Sequence, residues 1–276
     1  MRARLAAVCL VALAAGCSAI EFAYNNAGTW LRWQAGSYLD LDEAQAQEFD
    51  GRLRVFLAWH RAEALPLYAR LADEAGARLA RGASREDLVW GYDAVRRQAR
   101  ESLRRAGAGL GDFLDRLSSA QIAHLERRFD EENRKFAEQW LAGTIAERRE
   151  RRFRRLVHTL EDWVGELSDA QRTRVREYTG SAPLNAELRE RERRRRQAEL
   201  LAMLRARDSA ARLAEWAAHW DAGRDPDFAA ANQAATQALL TLLADLERTL
   251  SPRQRTVAIA RLREYARDFD LLAAAR

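Results

Sequence analysis

Four short stretches of this chain share one spelling: LDEAQ at 41–45, LSSAQ at 117–121, LSDAQ at 167–171 and LSPRQ at 250–254. In each, a Leu precedes Ser or Asp, and Gln follows three residues after that. Ser or Asp at a helix N-cap accepts a hydrogen bond from the backbone three residues on, and a Gln there returns one to the cap. Each stretch therefore predicts a helix start. Pro252 fits the fourth, because the first helical position needs no N–H. With only 4 Pro and 14 Gly in 276 residues, and an abundance of helix formers, the chain is expected to be all-α. The expected architecture is an array of antiparallel helical hairpins, about seven to nine helices of ordinary length.

Capping accounts for the polar residues of the pentads and leaves the Leu unexplained. Only Leu117 has an apolar residue, Ile122, at the offset of a hydrophobic staple. Spacing adds a second argument. Leu41 to Leu167 is 126 residues, and Leu117 to Leu250 is 133. Segments opening at Ser84 and Asp225 lead to the second and fourth pentads in a similar way. Two duplicated halves are expected, 41–143 and 144–276.

The first 18 residues, MRARLAAVCLVALAAGCS, carry two arginines and then an apolar run from Leu5 to Ala15. As a helix that run rises about 16 Å, about half a bilayer core, which suits a signal-peptide h-region. LAAGC resembles the lipobox of bacterial lipoproteins. The resemblance implies that residues 1–16 are a lipoprotein signal peptide and that Cys17 is acylated, opening a segment 17–40 with an aromatic helix. Ser18, with no Asp after the Cys, resembles the context that sorts such proteins to the outer membrane, facing the periplasm. The bilayer is then a partner through Cys17. Cys9 departs with the leader, so no thiol is left for a disulfide.

The pentads also resemble the L-T-x-x-Q motif of the Spy/CpxP periplasmic helical proteins. FAYNNAGTWLRWQAGSYLDLDEAQ, LAWHRAEALPLYARL and WVGELSDAQ resemble an uncharacterised family of proteobacterial lipoproteins, a domain of unknown function. Its distinctive segments here are Tyr24-Asn25-Asn26-Ala27 and Trp59-His60-Arg61. The first resemblance implies chaperone-like holding of unfolded or envelope proteins; the second implies a location and no activity.

Helical periodicity singles out several residues. Ala27, Trp30, Leu31, Gln34, Tyr38 and Leu41 form one stripe, with Trp33 well off it. Trp33 then rests either in a headgroup layer or on a second packing face. Trp90 is off the Leu88–Tyr92–Val95–Ala99 stripe and has the same two readings, a partner or another layer. Pro66 removes the N–H that would bond the Ala62 carbonyl, so a kink or break is expected, with His60 and Glu63 beside it. Residues 122–140 carry a seam of Ile122, Leu125, Phe129, Phe136 and Trp140 interrupted by Glu132 and Asn133; at the 133-residue offset stand Tyr265 and Ala266. If the chain turns back at Gly143, Glu132 comes level with Arg152 or Arg155. That pairing fixes register between two helices, or it forms a polar pocket for a carboxylate, phosphate or peptide terminus.

Net charge is +5, carried almost wholly by Arg, since Lys135 is the only lysine. An Arg excess suits phosphate recognition, and GC-rich coding produces it without function. The basic runs 147–155 and 189–196 alternate with Glu and read as solvated faces; Arg193–Arg196, less compensated, suit anionic lipid headgroups or anionic envelope polymers. No nucleic-acid partner is expected. The four histidines show no H-x-x-x-H or H-E-x-x-H spacing, and neither a phosphate loop nor a G-x-S-x-G elbow occurs. No metal, cofactor or catalytic residue is expected. The functional expectation is a non-catalytic helical binding or chaperone-like module, with a structural envelope partner as the alternative. A hydrolase-type enzyme using His60/Glu63 or Glu132 is the third reading.

Overall fold

The computed structural model describes residues 19–275. Cys17, where acylation is expected, lies outside the described residues, as does the signal segment. The chain is all-α. Helices α1 (Ala19–Asn25) and α2 (Ala27–Leu39) are followed by α3 (Glu43–Trp59), a π-helical segment (His60–Ala64) and α4 (Leu65–Ala80). Then come α5 (Arg85–Leu114), α6 (Ser119–Trp140), α7 (Ile145–Val164) and α8 (Asp169–Ser181). The chain closes with α9 (Ala186–Ala206), α10 (Ser209–Ala218), α11 (Pro226–Arg248) and α12 (Pro252–Ala274). The expected count was too low because short turns at Asn26 and Arg207-Asp208 divide segments that read as continuous in the sequence.

All four pentads start helices through reciprocal capping boxes, Asp42 with Gln45, Ser118 with Gln121, Ser168 with Gln171 and Ser251 with Gln254. Thr144 with Glu147 and Ser84 with Asp87 form two more. Gly143 turns the chain at φ +87°, a backbone region that favours glycine.

The Gln side chains do more than cap. Gln171 Nε2 donates to Gln254 Oε1 at 3.1 Å, and Gln254 Nε2 donates back to Gln171 Oε1 at 2.9 Å. The same amides reach the carbonyl before the partner pentad, Gln171 to Thr249 at 3.1 Å and Gln254 to Glu166 at 2.8 Å. Gln121 and Gln45 pair likewise, at 2.6 and 3.4 Å, and Gln121 Nε2 donates to the Asp40 carbonyl at 3.1 Å. The pentads thus meet two by two, N-terminus to N-terminus.

This explains the Leu of three pentads, while Leu250 of the fourth lines a cavity beside the second core. Leu117 and Leu41 enter one apolar core with Ile122, Leu125, Leu201 and Leu204. Leu167 enters the other with Phe153, Val157, Leu160, Val175 and Leu242. The two cores do not coincide with the two predicted halves. The closest helix pairings, α5 with α10 and α4 with α12, both cross the expected boundary at Gly143. In the first, a Cβ on Gly107 would lie 2.7 Å from Ala214 Cα, and one on Gly111 would lie 2.7 Å from Ala210 Cα. Glycine there lets two helix backbones touch.

Pro66 bends the backbone pattern without breaking the helix. The π turn before it lets the Leu65 N–H reach the His60 carbonyl, and the helical path runs on from α3 into α4.

Candidate functional site

The two distinctive segments, Tyr24–Ala27 and Trp59–Arg61, converge at the π turn. Tyr24 Oη lies 2.9 Å from His60 Nδ1, and the rings stack at 5.6 Å. Burial holds the His60 imidazole below its ordinary value, which favours the neutral ring beside the phenol. Burial likewise raises Tyr24, against the opposing charge of Arg61. Arg61 bonds Asn25 Oδ1 at 3.2 Å and the Leu272 carbonyl at 3.2 Å. This cluster ties α1 and the end of α12 to the π turn. Glu63 is exposed and takes no part in the His60 hydrogen bond, so the expected His60–Glu63 acid–base pair is not assembled.

Glu132 is not level with Arg152 or Arg155. The seam of α6 is taken up by α9, whose Leu200, Leu201 and Leu204 share a core with Ile122, Leu125 and Phe129. Glu132 sits at the rim and bonds Lys135 at 2.9 Å; that bond holds its carboxyl below the usual range. Asn133, 2% exposed, is the residue that stays in the seam. It accepts from Arg193 Nε at 2.8 Å and donates to Gln197 Oε1 at 2.8 Å. Ala266, at the offset position, is buried to the same degree without needing a partner.

Arg194, Arg195 and Arg196 of the second basic run also have partners within the chain. Arg194 bridges Glu190, Arg195 bridges the buried Glu192, and Arg196 lies 3.7 Å over Trp216 and bonds its carbonyl. The first run behaves differently. Arg152 donates to the carbonyl of Pro183 at 3.1 Å and to Tyr178 Oη at 2.8 Å, at the edge of a cleft between α7 and α9.

Trp33 is 65% exposed and has no second packing face; Trp30, expected on the buried stripe, is 56% exposed. The stripe fails here because α2 contacts its neighbours along Leu31, Gln34, Tyr38 and Leu39, too narrow a seam to reach position 30. Phe22, 70% exposed, is a third open ring, and all three lie between residues 22 and 33, soon after Cys17 in sequence. Trp90 is half-buried under Arg78, whose guanidinium carbon stands 4.0 Å from the ring centroid. The other layer is therefore a cation, and Tyr92 and Val95 of the predicted stripe are the exposed residues.

Trp90 lines an apolar feature, a concave groove walled chiefly by α4, α5, α7, α11 and α12. Two adjoining cavities of about 530 and 470 Å³ share Leu79, Leu88, Leu239, Leu243 and Leu262. Leu160, Trp163 and Leu246 extend the second toward the Gln171 pair. No period in the sequence announced this groove, because its walls come from five separate helices.

Residues 37–222 match a family described as of unknown function, DUF6279. The chain belongs to that family. No curated protein and no solved structure matches it. The family match covers α3 to α10, with the π turn, Trp90, Asn133 and the α7–α9 cleft, while α11 and α12 lie beyond it. Two of the five helices that wall the groove, and Gln254 of the second pair, therefore come from outside the matched stretch. No group of three or more His, Cys, Asp or Glu suited to a metal is present among the described residues, and no helix there is long and apolar enough to cross a membrane.

Proposed function

We propose that this chain is an outer-membrane lipoprotein, tethered through acylated Cys17 and facing the periplasm, that holds apolar segments of client proteins without chemistry. The observation that carries this reading is the groove. Its lining is overwhelmingly apolar, it opens to solvent, and its two adjoining cavities of about 530 and 470 Å³ accept several side chains of an extended or helical segment. Exposed apolar surface of this kind marks an interaction site more often than a packing fault. The tether is supported by the leader and by Phe22, Trp30 and Trp33, since aromatic rings favour the bilayer–water boundary.

An aggregation assay tests the holding activity. The full chain at molar excess should suppress aggregation of an unfolded client, and Leu243→Glu in the groove should abolish suppression while the helical circular dichroism stays unchanged. No suppression by the parent chain refutes client holding. The structural alternative, a single stoichiometric envelope partner, uses the same groove; crosslinking from intact envelopes then yields one adduct of fixed mass. Mass spectrometry of the processed protein reads the tether directly, and an unmodified Cys17 overturns it. The hydrolase reading has no supporting observation, because His60 is bonded to Tyr24 and Glu132 to Lys135.

A further inference from the structure

The cleft between α7 and α9 gathers five guanidinium groups, those of Arg148, Arg151, Arg152, Arg155 and Arg189, around a cavity of about 150 Å³. Among the described residues one carboxylate forms an ion pair with them, and Glu147 feels the charge of Arg151 without a direct bond. Glu187 accepts from Arg148 Nη1 at 2.5 Å, and Glu147 is engaged in its capping bonds to Thr144. Among the described residues no ion pair reaches Arg151, Arg152, Arg155 or Arg189. Arg155 and Arg189 both lie over Trp140, 4.4 and 5.4 Å from its centroid. These contacts leave the positive charges of the cluster largely uncompensated at one place, which is unfavourable in the absence of an anion.

Two further features point at an anion. The Arg148 side chain is only 10% exposed, and its Nη2 has no hydrogen-bond partner, a costly state for a buried cationic donor. The first turn of α9 opens into the same cleft, with Asn185 at its N-cap making no side-chain capping bond. A long helix presents free N–H groups and the positive end of its dipole there. The groove of the proposed function is lined by none of these residues, so this site stands independently of that reading.

We propose that this cleft binds a phosphate group, with Arg152 and Arg148 fixed in place and Arg155 and Arg189 closing over it from the face of Trp140. Phosphate fits better than carboxylate because several guanidinium groups converge, each able to offer paired N–H donors to a doubly charged, three-oxygen face. Desolvation and the charges of Arg151 and Arg152 push the Arg155 guanidinium below its ordinary value, the repulsion that a bound dianion would relieve.

Calorimetric titration of the full chain in detergent with inorganic phosphate, at about 0.15 M salt, tests the site. Arg155→Gln and Arg189→Gln are the informative variants, since neither side chain holds a backbone carbonyl. Each is expected to weaken phosphate binding about ten-fold, the scale of one charge-assisted contact. Arg194→Gln, an exposed residue of α9 bridged to Glu190, is expected to leave it within about two-fold, because exposed charges are screened. Vesicles containing phosphatidate, compared with phosphatidylcholine alone, distinguish a headgroup from free phosphate: binding only to the former, lost in Arg155→Gln, assigns the phosphate to a lipid. The proposal is overturned if neither form binds, if acetate binds as tightly as phosphate, or if Arg194→Gln weakens binding as much as Arg155→Gln.

Discussion

Replacing Gln171 by Ala deletes a side chain that is 2% exposed and makes five hydrogen bonds, two of them from Nε2 to the carbonyl and hydroxyl of Thr249. It donates to Gln254 Oε1 and the Thr249 carbonyl and accepts from the Ser168 N–H and from Gln254 Nε2. Nε2 has two N–H groups for its three acceptors and Oε1 accepts two bonds, so at about 1 kcal/mol net for each of four full neutral bonds the loss is about 4 kcal/mol. Gln254, 9% exposed, makes a matching set, so Gln254→Ala should cost about the same. Two bonds are common to both deletions. The double variant should therefore lose about 6 kcal/mol and not 8, a coupling of about 2 kcal/mol. Urea unfolding followed by circular dichroism measures all four corners of the cycle. The Gln45–Gln121 pair, with one bond stretched to 3.4 Å and Gln45 partly open to solvent, should couple by only about 1 kcal/mol. Coupling within about 0.5 kcal/mol of zero at Gln171–Gln254 would refute the idea that the pentads lock to one another.

Substitutions at neighbouring glycines of α5 should move stability in opposite directions. Gly107→Ala and Gly111→Ala push a methyl into the α10 backbone and should cost about 2 kcal/mol or more, whereas Gly109→Ala, with nothing within 4 Å, should gain about 0.5–1 kcal/mol in the same melt. His60 has a folded value below its unfolded one, so the unfolded chain binds the extra proton first as the solution is acidified. Its contribution is present in full above the unfolded value of about 6.5 and is lost as pH falls through the folded value; His60→Gln should flatten that part of the pH–stability curve, and an unchanged slope counts against it.

The local rules were legible and the pairings were not. Every capping box lies within four residues, so Ser118 and Gln121 declare a helix start wherever that segment sits. The Gln amide that completes the motif faces a partner 76 or 83 residues away, and nothing in the pentad says which. Glu132 shows the same gap. A short turn at Gly143 suggested α7 as its neighbour, yet the apolar residues of α6 were already claimed by α9 and α2. Gly107 and Gly111, four apart on α5, were a readable sign of close helix approach that the aromatic stripes overshadowed.

What the sequence determined by itself is the all-α class, the position of most helix starts and the family, because these depend on contacts within one turn or on whole segments of residues. What tertiary structure decided is which helices touch. That choice made an apolar groove from five helices, engaged Arg193, Arg195 and Arg196 with Asn133, Glu192 and Trp216, and gathered Arg148, Arg151, Arg152, Arg155 and Arg189 at one cleft. The reason is physical: a helix announces its own buried stripe through its period, but the partner that covers the stripe is selected by competition among all the others for the same apolar area.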